Sequence, residues 1–378
     1  MESGTNRYSP LGSVQLIVIS EDVNRKAGQG LPVDLIRTFA IFLVMLLHAC
    51  NQYYTVVIPN GLNSELYWWT ATVYKALTLP CVPLFVILSG ALLLHPSKLH
   101  EPIRFFLKKR FNRIGFAFFF WTIIYLGWAL FVSKTPFTSS NIIEGLLYSF
   151  TSGAYYHFWF LYLIVGLYLI TPILRTIVAY DSQKILRYLI FLWFLYVAVV
   201  PIVQFVSVYP LNETVFLIGG SIGYFVLGVY LQKIRRVRSS LLYALFFSSF
   251  GVTIFGTWLL RYSQGNEFFF FNYQSVNVIL TSVALFLLLI KFPPHWAKKK
   301  HPLFGRFVKA VSNNTLPIYM FHVIILETLQ NGYLGFTLNI TTMNPIIAVP
   351  VIAVVTLFIT LGLVLVMKKV PVLRRLIG

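Results

Sequence analysis

Residues Asp34 to Ala49 read DLIRTFAIFLVMLLHA, an apolar run that carries a carboxylate, a guanidinium and an imidazole. Arg37 and His48 are eleven positions apart. At 3.6 residues per turn this is about 1100° of rotation, so in a helix both lie within roughly 20° of one face. The same stretch rises about 16 Å, roughly half of a hydrocarbon core about 30 Å thick. With Arg37 at a membrane surface, His48 lies near mid-bilayer. A histidine titrates near neutrality and can serve as a general base in an internal cavity. The plainer use is a neutral, hydrogen-bonded packing residue. Asp34 and Arg37, at i and i+3, read as an interfacial ion pair that fixes the helix in depth. Asp34 lies about 21 Å of helix rise away from His48 and cannot orient it.

An orienting carboxylate has to come from another helix. Glu327, in IYMFHVIILETL, is the acid that lies clearly inside an apolar run, with Tyr319 and His322 beside it. His322 is at a depth similar to that of His48, and interhelical hydrogen bonding is the plainer role for this group. Arg110 and Arg113, in KKRFNR, are one helical turn apart. Two guanidiniums on one face can hold phosphates bidentately, although topological anchoring is the default for such a pair. The Ser89–Gly90 pair in VPLFVILSGALLLH suits close helix approach. His157 and Trp159 open an aromatic stretch, YYHFWFLYLIVGLYLITPILR, which as a structural feature is an interfacial belt.

The elements that must position these groups are membrane helices. Hydrophobic residues make up 58% of the 378 and charged ones 11%, against about 25% in a soluble domain. Apolar runs of spanning length fall at about 33–56, 78–95, 111–133, 156–178, 186–207, 214–232, 240–261, 273–292, 311–331 and 345–367. The expected fold is an all-α polytopic bundle of about ten transmembrane helices, with both termini cytoplasmic. With the N-terminus inside, all but three of the 30 lysines and arginines fall in inner segments, the exceptions being Lys75, Lys134 and Arg261. This is a strong positive-inside bias. It accounts for most of the +19 net charge, so no nucleic-acid partner is expected. Residues 1–31 read as a cytoplasmic tail, 32–370 as one membrane domain and 371–378 as a second cytoplasmic tail. The short LIVI patch at 16–19 is too brief for a signal-peptide core, so the first span reads as an uncleaved signal-anchor. Cys50 and Cys81 lie in apolar stretches and suggest neither a disulfide framework nor a metal cluster.

Together these stretches resemble the acyltransferase 3 family of integral-membrane O-acyltransferases. RTFAIFLVMLLH is similar to its arginine, ten residues, histidine motif, and PLFVILSGALL to its second-helix motif. RFNR resembles its arginine pair, and HFWFLYLIVGLYLITPILR its outer-side segment. GYFVLGVYL and TLPIYMFH fit as well. The second helix carries FVILSG where members often have further aromatics. The resemblance covers about 31–370 and implies an O-acyltransferase, acting on cell-surface or lipid-linked glycans at the plasma or inner membrane. It implies His48 as general base, with Arg37 and Glu327 also catalytic. Arg110, Arg113, Arg37 and Ser89 would bind the donor, acetyl-CoA or another acyl-CoA, as a co-substrate. His157, Trp159, Tyr319 and His322 would line the acceptor side. Expected partners are the donor, a glycan or glycolipid acceptor and membrane lipids, and the reading accommodates a homo-oligomer. Neither a metal nor a permanently bound cofactor is expected.

Two readings from other classes compete. A polysaccharide exporter or small-solute transporter would also bury His, Glu and Arg as a proton relay. The sequence shows no internal repeat with matching interrupted helices, which weighs against it. An oligomeric scaffold leaves His48 unexplained.

Overall fold

The computed structural model describes residues 32–62, 64–180, 183–206, 213–234, 236–263, 268–293 and 301–378. The expected tail at 1–31 lies outside the described residues. Among these residues the fold is helical and contains no strand. The helices are α1 (Val33–Cys50), α2 (Glu65–Thr78), α3 (Cys81–Leu93), α4 (Ile103–Val132), α5 (Ser139–Ser152), α6 (Trp159–Ala179) and α7 (Gln183–Val206). They continue with α8 (Glu213–Leu231), α9 (Ser239–Ser263), α10 (Val276–Ile290), α11 (Pro302–Asn313), α12 (Thr315–Gln330), α13 (Pro345–Met367) and α14 (Pro371–Leu376).

Among the described residues seven segments are long and apolar enough to cross a membrane, where ten were expected over the chain: Val33–Val57, Glu65–Leu93, Ile103–Val132, Trp159–Ala179, Ser239–Ser263, Phe269–Ile290 and Pro345–Met367. Gly220–Leu231 and Thr315–Gln330 are shorter apolar helices. The expected spans at 186–207 and 214–232 correspond to α7 and α8, except for residue 207, which lies outside the described residues.

Three boundaries differ from the sequence reading for identifiable reasons. The outer connection expected at 57–77 is mostly α2, continuous in direction with α3 across Leu79–Pro80. One face of it, with Trp68, Ala71 and Ala76, is buried inside the protein, while Leu66, Trp69 and Val73 are exposed. The span expected at 311–331 is two helices, because the backbone leaves helical geometry at Asn314 (φ −116°, ψ 16°). Asn314 Nδ2 donates to the carbonyl of Ala310, which the break would otherwise leave open, and Thr315 Oγ1 donates to that of Val311. The third span begins eight residues earlier than expected. At 30 residues α4 is about 45 Å long, well beyond a hydrocarbon core, so its basic first turns, with Arg110 and Arg113, project from the apolar slab. Residues 371–378 form a docked element where a tail was expected: α14 packs against α4, and Ile377 is buried.

α1 is the central helix, flanked by α2, α3, α11, α12 and α13. It is stapled to α11 by two hydrogen bonds, Thr38 Oγ1 to the Val308 carbonyl (2.9 Å) and Ser312 Oγ to Asp34 Oδ1 (2.7 Å). Asp34 is thus committed to α11 and forms no ion pair with Arg37, contrary to the pairing their spacing suggested. α3 and α8 make the closest crossing. A Cβ at Gly90 would lie 1.7 Å from the Phe225 carbonyl oxygen, and one at Gly228 would lie 2.1 Å from that of Ile87. Only glycine admits that approach. Cys50 and Cys81 are buried free thiols.

Candidate active site

A cavity of about 250 Å³ opens between α1, α3, α4, α6, α11 and α12. Four cations from separate stretches of the chain line it: Arg37 on α1, Lys98 in the turn after α3, and Arg110 and Arg113 on α4. None of the four is in an ion pair among the described residues. Ser89 also lines the cavity, so every donor-side residue expected from the sequence converges on one space. Arg110 lies over the rings of Phe106 and Tyr168, its Cζ 5.4 Å from each centroid, and its Nε is buried without a partner among the described residues. Burial and the neighbouring Arg110 guanidinium pull Lys98 below the ordinary lysine value. Unpaired cations held together in a partly buried space are costly unless an anion joins them.

The packing behind the cavity contains a residue the sequence reading counted only as topological charge. Arg175, near the end of α6, is buried. Its Nε donates to the Leu93 carbonyl (2.9 Å), and a terminal nitrogen pairs with Glu101 Oε2 (2.9 Å). Its guanidinium lies 4.4 Å from the Phe106 centroid, the ring that also carries Arg110. Arg175 therefore fastens α3, α4 and α6 together beside the cationic cavity. A cation far along an aromatic, apolar helix gives no local sign of a half-buried acid partner 74 residues away.

Phe85, Phe160 and Tyr319 form an aromatic wall of the cavity. Tyr319 was expected on the acceptor side, yet it lines the same cavity as the arginines. Its hydroxyl donates to the His157 carbonyl, and its ring centroid is 5.7 Å from that of His322. Behind this wall three imidazoles meet. His48 and His322 have centroids 5.0 Å apart, and His157 and His322 5.5 Å. On α1, eleven residues beyond Arg37, His48 meets the ring of His322, which packs on the cavity-lining Tyr319. His48 is one ring layer behind the lining, not in it.

The tautomer of His322 follows from its partner. Its Nδ1 is 2.6 Å from the Tyr319 carbonyl oxygen, which only accepts, so Nδ1 carries the proton. The buried Nε2 is then a lone-pair acceptor, and it has no partner. Both nitrogens of buried His157 also lack hydrogen-bond partners. His48 is only half-buried and forms no hydrogen bond among the described residues.

Glu327 does not orient His48. Its Oε2 accepts from Trp128 Nε1 (2.6 Å), and both carboxylate oxygens accept from the Tyr155 hydroxyl (2.9 and 2.8 Å). Two tyrosine rings separate it from the base: Tyr155 packs on Tyr156 at 5.2 Å, and Tyr156 on His48 at 5.4 Å. The orienting carboxylate expected from the sequence is therefore replaced by an aromatic stack. Trp159 stands apart, its ring against Tyr273 and Phe160. The run Tyr155-Tyr156-His157, in the turn between α5 and α6, joins Glu327, His48 and the His322–Tyr319 pair in three successive residues. An interfacial belt has the same composition, so only the fold separates the two uses.

The fold and this site define a multi-pass membrane protein with an internal polar centre, in which a cationic cavity backs onto a histidine cluster. A family model described as an acyltransferase domain matches residues 32–365, and the chain belongs to the acyltransferase 3 family. Membership makes it a membrane acyltransferase in general terms. No curated protein and no solved structure matched the chain.

Proposed function

We propose that this chain is an O-acyltransferase that moves a short acyl group, acetyl in the simplest case, from cytoplasmic acyl-CoA to a hydroxyl of a cell-surface or lipid-linked glycan. The observation that carries the reading is the convergence of Arg37, Lys98, Arg110 and Arg113, all unpaired, on one cavity whose far wall touches the histidine cluster. Guanidiniums on a rigid helix suit the donor's phosphates, which they hold by paired, charge-assisted hydrogen bonds. The pantetheine arm then runs along α1 past Ser89 towards Tyr319, about the 16 Å that separates Arg37 from His48.

His48 acts as the base. As the acceptor oxygen attacks the thioester carbon, its proton passes to the imidazole. The C–S bond then breaks, and the departing thiolate takes that proton to leave as the free thiol. A base without a hydrogen-bond partner in the resting site is available for that proton.

The test is direct. The full chain, purified into nanodiscs, should bind acetyl-CoA in calorimetry, more weakly as salt rises, and release the free thiol when cell-envelope glycan is supplied. Folded protein that binds no acyl-CoA would overturn the reading.

A further inference from the structure

The acceptor side expected from the sequence is closed in the fold. His157 and His322 are buried, Tyr319 faces the cationic cavity, and Trp159 lies away from the histidines. His48 nevertheless keeps part of its ring accessible. The rings against it are His322, which is buried, and Tyr156, which is 53% exposed. The open approach to the base therefore runs past Tyr156.

We propose that Tyr156 is the acceptor-binding platform: a sugar ring of the glycan stacks on it and presents a hydroxyl to His48. This deepens the function proposed above and rests on it. Three observations support the assignment. The ring lies 5.4 Å from that of His48, which leaves a hydroxyl of a stacked sugar within reach of the imidazole. The Tyr156 hydroxyl has no partner among the described residues, whereas that of Tyr155 is held by Glu327. The ring is braced from behind: Tyr155 packs on it at 5.2 Å, and Tyr155 is locked by the carboxylate that also takes the Trp128 N–H. An aromatic face suits the apolar C–H face of a sugar, and a rigid ring orders a ligand with little loss of freedom. Glu327 is on this account a positioning residue that acts through Tyr155.

Transfer from acetyl-CoA to glycan extracted from the envelope of cells lacking this chain gives the test, with the full-length protein in nanodiscs. Tyr156→Ala should raise the KM for glycan by about tenfold or more while leaving acetyl-CoA affinity unchanged. Tyr156→Phe and Tyr156→Trp, which keep the face, should stay within about threefold of the wild type. Tyr156→Leu keeps bulk without the face and should behave as alanine does, so a misfolded alanine variant does not end the test. An unmoved glycan KM in folded Tyr156→Leu, or an effect of Tyr156→Phe as large as that of Tyr156→Leu, would overturn the platform while leaving the acyltransferase reading intact. Wild-type protein that binds acetyl-CoA but acylates no envelope glycan would overturn both.

Discussion

The chemistry proposed for this chain turns on His48, whose imidazole meets His322 and Tyr156 and makes no hydrogen bond among the described residues. Removing a general base costs about 10²–10⁴-fold in rate. His48→Asn should lose transfer to that extent and keep acetyl-CoA affinity, since the cations sit a ring layer away; calorimetry paired with a thiol-release assay reads both. Arg113→Lys keeps the charge but not the fork and should weaken donor binding far more than Lys108→Arg, a change outside the cavity. Lys98 adds a pH signature. Its value is pulled below that of an ordinary lysine, and a bound anion favours its charged form. Donor affinity should therefore fall as pH rises through that lowered value, at less alkaline pH than an unperturbed lysine would give, and Lys98→Met should flatten that limb. At this scale much was legible in the sequence. Arg37, Ser89, Arg110 and Arg113 share a cavity because α1, α3 and α4 are straight helices whose faces can be counted. Glu327 was misread because pairing across helices depends on which rings stand between them, and the two tyrosines that intervene come from a turn with no periodicity.

At the scale of elements, the site depends on how α3, α4 and α6 are held. The Arg175–Glu101 pair and the shared Phe106 ring do this beside the cationic cavity. Breaking a buried pair by removing one partner costs about 3–5 kcal/mol, because the other charge is left stranded. Glu101→Ala should lower the thermal midpoint of the purified protein and weaken acetyl-CoA binding through displaced Arg110. Glu101→Asp should recover part of both, and equal midpoints for Glu101→Ala and wild type would remove the clamp from the account. The crossing of α3 and α8 has a sharper requirement. Gly90→Ala has to displace the Phe225 backbone, so it should abolish recovery of folded protein, whereas Gly127→Ala, with open space around it, should not. The small pair at 89–90 signalled close approach in the sequence, although not the partner. The break at Asn314 was not legible. A run of apolar residues of spanning length gives the same hydropathy whether or not its backbone stays helical, and α11 and α12 divide where a side-chain cap can satisfy a freed carbonyl.

At the scale of the whole molecule, the bundle has two unlike ends. Arg37, Lys98, Arg110 and Arg113 gather at one, while Tyr156 and the Glu327–Trp128–Tyr155 network lie on the far side of His48. In the proposed function the cationic end faces the cytoplasm, the side that the charge bias along the chain favours. Donor and acceptor then approach the same imidazole from opposite faces, and neither the coenzyme nor the glycan crosses the bilayer whole. The class and the helical nature of the fold were legible from hydropathy alone; among the described residues seven segments are long and apolar enough to span, with shorter apolar helices beside them. Opposed access is the central claim. Sealed vesicles with the chain in one known orientation test it most directly. Acetyl-CoA is supplied on the face bearing Arg110 and Arg113, and acceptor glycan on the other. Acyl glycan should form in that arrangement and not when the two substrates are exchanged between faces; equal yields from both arrangements would contradict the account.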